Sequence, residues 1–389
     1  MAISISELQT LADRFDVVPQ RSYSLPARAY TQPGYLDIEQ EAIFYKSWQY
    51  VCHLEQLRQP GDYIAIDIQG QPIIALRDRA GVLRAFYNVC RHRGHELVKG
   101  EGNLKAIVCP YHAWCYSLDG KLLSARHSNT IENFDFDDFG LMPVQIEAFC
   151  TMIFINLNPE AKSLAIQSGE LAHEIQQYAP DLENLTHAYR LTYRIKANWK
   201  SVVDNFLECY HCAVAHKDFV SLVDMHNYLV TTHGIYSSHI APAGKTNNSA
   251  YSVAGASVQD HAVWWLWPNT CLLRYPGAPN WMVWRFIPID TETTAETFDF
   301  FFEDSTPTPA QMEAIRYIDQ VLQKEDIDIV ESVQRGMKTP AYEQGRFVCS
   351  ANGQGESEHA VHHFHSLYLE AIAQYLQSRQ LKEQGKRVI

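Results

Sequence analysis

The chain has 389 residues, 20% of them charged, and a formal net charge of −13. That acidic balance excludes a nucleic-acid binder, which needs a basic footprint. The lack of any apolar run of about eighteen residues excludes a transmembrane helix. The length is long for one core and suits two domains.

Met1 to Val18 mixes apolar, polar and acidic residues and lacks the basic, apolar pattern of a signal peptide. Tyr35 to Val51 has helical periodicity, with Ile38, Ala42, Phe44 and Trp48 apolar. Tyr63–Ile68, Pro72–Arg77, Leu83–Asn88 and Cys115–Leu118 read as short strands with turns such as Asp119-Gly120, and Thr151–Leu157 closes the unit. Residues 45–158 are therefore expected to form a small all-β domain. From about Ser163 the texture changes. Helical segments at Leu171–Tyr178, Trp199–His211, Pro309–Arg335 and His362–Arg379 flank aromatic-rich strands at His187–Ile195, Tyr228–Ile240, Trp281–Ile289 and Thr297–Phe302. An α+β domain over 159–389 is expected, with residues 1–44 packed on it. The Pro/Gly/Asn-rich span Ala241–Ser257 is expected to loop over a pocket.

Cys90 and His92 form a Cys-x-His pair, and after sixteen intervening residues Cys109 and His112 form Cys-x-x-His. Two thiolates and two imidazoles are what a Rieske [2Fe–2S] cluster requires, with histidines replacing cysteines on one iron. Zinc takes the same donors, so a zinc-stapled ligand-binding module is the non-enzyme alternative. Zinc protein would be colourless and the cluster red-brown. Arg93-Gly94-His95 after the first pair and Pro110-Tyr111 inside the second favour the cluster. Trp114 is placed either to shield it or to fill a strand core. The remaining cysteines, of nine in all, are irregularly spaced, which suits a reducing, cytoplasmic setting.

Asp204-Asn205-Phe206-Leu207-Glu208-Cys209-Tyr210-His211, continuing to His216, is the second constellation. On a helix Glu208 and His211 share a face. His216 would be off that face by roughly 140°, so the helix must bend or end near Cys212 to Ala215 for both histidines to reach one metal.

Together these motifs resemble the oxygenase (alpha) component of the Rieske non-haem iron oxygenases. Within that family the chain looks most like the branch of carnitine monooxygenase and the glycine betaine and stachydrine demethylases, over about Ala27 to His365. Glu208, where many members carry Asp, Ala85-Phe86-Tyr87-Asn88-Val89-Cys90, Trp265-Leu266-Trp267-Pro268 and Glu331-Ser332-Val333-Gln334-Arg335-Gly336 carry that likeness. The chain departs from the branch at Arg91, at Ala213-Val214-Ala215, at Lys217-Asp218 and over Arg274 to Asn280.

The resemblance implies a small all-β Rieske domain and a helix-on-antiparallel-sheet catalytic domain. It implies a mononuclear Fe(II) held by two histidines and one carboxylate, at His211, His216 and Asp326, with Asp328 the rival. Glu208 would bridge the redox centres by linking to His92 or His112 of a neighbouring subunit in a homotrimer. The partners implied are an NAD(P)H-dependent flavin/iron–sulfur reductase, O2 and a small cationic substrate. The reaction implied is hydroxylation of a carbon attached to a quaternary nitrogen, followed by C–N cleavage or N-demethylation. Ring hydroxylation or O-demethylation of an aromatic acid is the runner-up.

Trp264, Trp265, Trp267, Tyr275, Trp281 and Trp284 cluster in one strand region. Aromatic faces bind a quaternary ammonium by cation–π attraction, yet strands also favour aromatics for packing. One or two of the six are expected at a substrate. Arg274 or Arg285 could pair with a substrate carboxylate or form structural salt bridges.

Overall fold

In the computed structural model, which describes residues 3–383 apart from 255, 257, 351 and 352, the chain divides into two compact units. One is Phe44–Ile166; the other combines Met1–Ile43 with Gln167–Ile389.

The unit Phe44–Ile166 is built on β-strands. They are β1 Gln49–His53, β2 Asp62–Ile68, β3 Gln71–Arg77, β4 Leu83–Tyr87, β5 Glu101–Asn103, β6 Ile107–Val108, β7 Cys115–Tyr116, β8 Leu122–Ser124, β9 Pro143–Phe149 and β10 Met152–Asn156. Seven form a sheet in the order β1-β10-β9-β4-β3-β2-β5, and β6-β7-β8 form a second, smaller sheet. Ile73, Ile74, Ala75 and Leu76 of β3 are all buried, as expected of a strand covered on both faces. The helix expected over Tyr35–Val51 is cut short. Tyr35–Glu39 is helical, Gln40–Phe44 forms a π-turn, and Gln49–His53 is a strand paired with Met152–Ile155. The aromatic and β-branched run Trp48-Gln49-Tyr50-Val51 fits a pleated surface better than a helix, so strand pairing overrides the helical period.

The other unit carries a seven-stranded antiparallel sheet in the order β11-β17-β16-β15-β14-β13-β12. Its strands are β11 Thr186–Ile195, β12 Leu229–His233, β13 Tyr236–Pro242, β14 Asp260–Leu266, β15 Thr270–Arg274, β16 Trp281–Asp290 and β17 Thr293–Phe302. The long strand expected over Tyr228–Ile240 is a hairpin, with His233 paired to Tyr236 around Gly234. Side chains alternate between the two faces of each strand. His261, Val263, Leu273, Tyr275, Trp284, Phe286 and Glu296 all face one cavity, so the intervening residues, Arg274 and Arg285 among them, lie on the other face.

Helix Trp199–Phe206 is capped by the Asn198 side chain, which accepts from the Lys200 N–H. The Asn198 backbone N–H in turn donates to Gln334 Oε1 at 2.9 Å, tying this helix to helix Gln323–Met337. The helical span expected over Pro309–Arg335 is broken by a π-turn at Ile318–Leu322, between helices Pro309–Tyr317 and Gln323–Met337. The C-terminal helix spans His359–Glu383.

Candidate metal centres and substrate pocket

Each cysteine–histidine pair sits on a tight loop. The Cys90 N–H donates to His95 O at 2.8 Å and the Gly94 N–H to Cys90 O at 3.0 Å. Gly94 holds a φ of 71°, a left-handed conformation that glycine adopts without a Cβ clash. In the second loop the Cys109 N–H donates to Trp114 O at 2.8 Å and the Ala113 N–H to Cys109 O at 3.0 Å. Both cysteines are free and buried. The His92 and His112 ring centroids are 4.7 Å apart, and Trp114 stacks on His92 at 4.8 Å.

Burial raises the Cys90 thiol above its ordinary pKa; a hydrogen bond from Tyr116 opposes this, and the neighbouring Cys109 adds to it. His112 Nδ1 is buried with no hydrogen-bond partner among the described residues. A buried imidazole nitrogen is costly unpaired, and a metal would pair it. Two buried thiols beside two imidazoles, one with an orphan nitrogen, are the donor set of a Rieske cluster.

The second site forms where helix Trp199–Phe206 ends. The break comes at Leu207, earlier than expected, and Cys212–Ala215 is itself a short helix. Glu208 and His211 therefore meet across a turn and not along a helix face. Glu208 Oε2 accepts the His211 backbone N–H at 3.1 Å, and Glu208 Oε1 lies 2.6 Å from His211 Nδ1. On the other side Glu325 lies 2.8 Å from His216 Nδ1. With protons on both Nδ1 atoms, the two Nε2 lone pairs are left facing inward. The Nε2 atoms are 3.1 Å apart. Asp326 Oδ1 lies 3.0 Å from His216 Nε2 and 3.6 Å from His211 Nε2.

Ligand atoms about 2.1 Å from one metal, at right angles, would be about 3 Å apart. Two histidines and one carboxylate arranged so match the facial triad of non-haem iron. The electrostatics agree. Burial opposes charge on His211, yet hydrogen bonds to Asp326 and Glu208 override it and push its pKa up to about 10. The carboxylates draw positive charge to this point, and a divalent cation would supply it. Asp328 is exposed on the same helix and takes no part.

A cavity of about 110 Å³ opens against this group. Phe206, Phe219, Tyr228, Tyr275, Trp284 and Phe286 give it aromatic walls, and Glu296 a buried carboxyl. His239 and His261 also line it, and burial lowers both to about 3, so they are neutral imidazoles.

The ring-hydroxylating alpha-subunit catalytic domain family matches residues 182–374, and the Rieske [2Fe–2S] domain family matches residues 47–135. The chain is 40% identical to the carnitine monooxygenase oxygenase subunit of Escherichia coli K12, over 92% of this chain and 96% of that protein. It is 31% identical to the chloroplastic choline monooxygenase of Beta vulgaris, over 92% of this chain and 80% of that one. Among solved structures, the quaternary ammonium Rieske monooxygenase CntA in complex with L-carnitine superposes with a TM-score of 0.83. The two are 35% identical over 92% of this chain and 98% of CntA.

The chain belongs to the Rieske non-haem iron oxygenase alpha subunits. It is a monooxygenase of that family, and its cofactors are a Rieske [2Fe–2S] cluster and a mononuclear iron. Naphthalene 1,2-dioxygenase, at 20% identity and a TM-score of 0.81, shares the fold.

The structure brings together His211, His216, Asp326 and Glu208 in this Rieske oxygenase, and separately Cys90, His92, Cys109 and His112. Of the aromatic cluster read from sequence, Tyr275 and Trp284 reach the cavity. Trp264, Trp265 and Trp281 are fully buried core. Arg274 cannot serve a substrate: it is buried and donates to Ala278 O, Asn280 O and Asp181. Asp204 accepts from Tyr30 at 2.7 Å and contacts His365, away from the three-residue group.

Three features escaped the sequence reading. Glu325 orients His216, and its adjacency to Asp326 was the available clue. Cys209 and Cys212 are bonded to each other around His211, and a Cys-x-x-Cys spacing was the signal. Glu296 lies on β17, where its neighbours gave no hint of a buried acid.

Proposed function

We propose that this oxygenase hydroxylates a quaternary ammonium substrate at a carbon bonded to nitrogen, with electrons from NAD(P)H delivered by a flavin/iron–sulfur reductase. The observation that carries the reading is an aromatic-walled cavity with no Lys or Arg among its described lining residues, set against His211, His216 and Asp326. A cation without N–H donors is held by such faces, at about 0.5–2 kcal/mol per good contact. The relatives named for carnitine and for choline share that cationic head.

Residues 45–158 are assigned to the Rieske domain and 159–389, with 1–44, to the catalytic domain, a division supported by the compact units. Cys90, His92, Cys109 and His112 would hold the cluster, and His211, His216 and Asp326 the iron. When bound, the cluster supplies single electrons and the iron a centre for activating O2. Glu208 and Glu325 hold the Nδ1 protons of the two histidines and so fix which nitrogens are offered to metal. The aromatic walls hold the cation and keep water from it. One oxygen atom enters the C–H bond beside nitrogen and the other leaves as water. The resulting carbinolamine collapses to an amine and an aldehyde, releasing a proton.

Glu208 is the proposed link to a cluster histidine of a neighbouring subunit in a ring of three. In a quaternary ammonium Rieske monooxygenase of known structure, 35% identical to this chain, electron transfer is inter-subunit.

The test is substrate-dependent NADH oxidation with a matched reductase, screening carnitine, glycine betaine, proline betaine, choline and aromatic acids, with product analysis. An amine shortened by one substituent and an aldehyde are expected. Turnover of an uncharged aromatic acid, with no quaternary ammonium oxidised, would overturn the reading.

A further inference from the structure

Cys209 and Cys212 are joined by a disulfide that spans Tyr210 and His211, and the function proposed above makes no use of it. Their Cα atoms are 4.9 Å apart, a span that a disulfide bridges without backbone movement. The other seven cysteines are free. A staple for the fold would look different. Disulfide stabilisation grows with the length of the loop closed, and these cysteines are only 3 apart in sequence, so the bond restrains little of the unfolded chain. Free cysteines elsewhere suit a reducing setting, where the disulfides that do form are usually transient and redox-active.

The position of the pair is a second, independent observation. Cys209 and Cys212 line the cavity beside His211, His216 and Asp326, and each is 4% exposed. The sulfurs are shielded from bulk solvent yet border the space where O2 is reduced. The disulfide is also tied to both histidines. His211 lies inside the loop it closes. The Cys212 N–H donates to Cys209 O at 3.1 Å, and the His216 N–H donates to Cys212 O at 2.8 Å. The Cys209 N–H donates to Gly355 O at 3.1 Å, which anchors the near end of the loop. The bond therefore fixes the backbone between the two imidazoles. With it closed, ligand atoms of His211, His216 and Asp326 lie within 4.8 Å of one another.

We propose that Cys209 and Cys212 are a reversible oxidation site that latches the iron: the disulfide holds His211 and His216 in place and retains metal, the dithiol loosens the turn and releases it, and hydrogen peroxide closes the pair. Peroxide forms when O2 takes two electrons and two protons with no substrate C–H bond to attack. The two thiols give it two electrons and two protons. An S–S bond forms, the O–O bond breaks and two waters leave. An external dithiol reopens the pair by exchange and becomes a disulfide itself. The inference rests on His211 and His216 as iron ligands and is independent of which substrate is oxidised.

The experiment compares two redox states of the whole enzyme. One portion is purified in air. Another is reduced with tris(2-carboxyethyl)phosphine, which is oxidised to its oxide, and desalted without oxygen. Both are loaded with Fe(II) anaerobically and challenged with the chelator ferrozine, while the visible spectrum reports that the cluster stays intact. Alkylation and peptide mapping report the state of Cys209 and Cys212. The air-purified enzyme should carry the disulfide and release iron at least about tenfold more slowly than the reduced one, the lower end of what losing a contact that orients a ligating histidine costs. One equivalent of hydrogen peroxide, added to reduced protein before iron loading, should close the pair and restore slow release. Cys209→Ser with Cys212→Ser should release iron fast whether or not it is reduced. Equal release from the two states, a pair found only as thiols after purification in air, a disulfide that the phosphine leaves intact, or a pair that peroxide leaves open would each overturn the latch. Those results leave the iron ligands standing, whereas no chelatable iron in either state would sink the ligand assignment with the latch. If the double variant fails to fold, the two states of the wild type decide.

Discussion

The helix that delivers Glu208 and His211 is anchored by a fully buried ion pair, and breaking that pair has a calculable cost. Lys200 Nζ lies 2.5 Å from Glu39 Oε1, with both side chains 1% exposed or less. Trp199 Nε1 donates to Glu39 Oε2 at 2.7 Å and Tyr368 OH to Oε1 at 2.9 Å. The ammonium also lies 5.4 Å from the ring centroids of Tyr30, Trp199 and Tyr368. Burial lowers the pKa of Lys200, and Glu39 opposes that fall. Lys200→Met leaves the Glu39 carboxylate buried with two neutral donors and no counter-charge. Removing one partner of such a pair costs about 3–5 kcal/mol. At roughly 2–4 °C per kcal/mol for a unit of this size, calorimetry should show its Tm falling by about 10 °C. Glu39→Gln combined with Lys200→Met removes both charges and keeps an acceptor for Trp199 or Tyr368, so it should recover at least about half of that loss, since charge-free replacements of buried pairs are often close to neutral. A Lys200→Met shift under about 2 °C, or a double variant less stable than the single, would refute this account of the anchor.

Three further outcomes follow from the site. Glu208→Gln should keep the cluster colour and most of its iron but lose coupled turnover by about 10–100-fold or more, because a carboxylate that orients His211 is replaced by an amide whose NH2 faces the His211 N–H. Iron loss as complete as in His211→Ala would contradict that role. Asp326→Ala should abolish iron binding by metal analysis, whereas Asp328→Ala, exposed, should retain it with stability within about 0.5 kcal/mol of wild type; equal iron loss in both would refute the ligand assignment. Burial holds His261 at about 3, below its unfolded value near 6.5. The folded state thus resists protonation there, and the stability His261 allows is present above pH 6.5 and declines as pH falls toward 3, by about 1.4 kcal/mol per unit. His261→Asn should flatten Tm against pH between 6.5 and 5; an unchanged slope would show that His261 takes up no proton in that window on unfolding.

The family, the fold class and both cofactors were legible because metal chemistry constrains residue type and spacing more tightly than packing does. Cys90, His92, Cys109 and His112 sit on short loops whose conformation is nearly local, so sequence order carries them. Asp326 was reached only by resemblance, since more than a hundred residues of sheet separate it from His216 and no local rule places it. The pocket was harder. Trp264, Trp265 and Trp281 look as fit for a cation as Trp284, but strand register, a property of pairing with neighbours, turns Trp264 and Trp281 to the opposite face, and Trp265, on the same face as Val263, packs instead against Trp267 and Phe364. The same register turns Arg274 away while Leu273 and Tyr275 face the cavity. Where the helix would break was misplaced by several residues, because the turn at Leu207 to His211 is held by Glu208 accepting the His211 N–H, a side-chain contact that helix periodicity does not register.

That turn also explains why the histidines are five apart. On one straight helix His211 and His216 would diverge by roughly 140°. Ending the helix at Phe206 and restarting at Cys212–Ala215 sets the two histidines at opposite caps of that short helix, each held by its own carboxylate: Glu208 from the turn and Glu325 from the helix after the π-turn. Glu325 and Asp326 are consecutive, yet one meets His216 at Nδ1 and the other at Nε2, so a single residue step on that helix both orients a histidine and completes the three-residue group. A π-turn at Ile318–Leu322, one residue ahead of helix Gln323–Met337, shifts the phase of every side chain after it. Deleting one residue from the π-turn would rotate Glu325 and Asp326 by about 100° and separate both from His216. The irregular backbone on either side of the site is therefore what lets His211, His216 and Asp326 meet at one point.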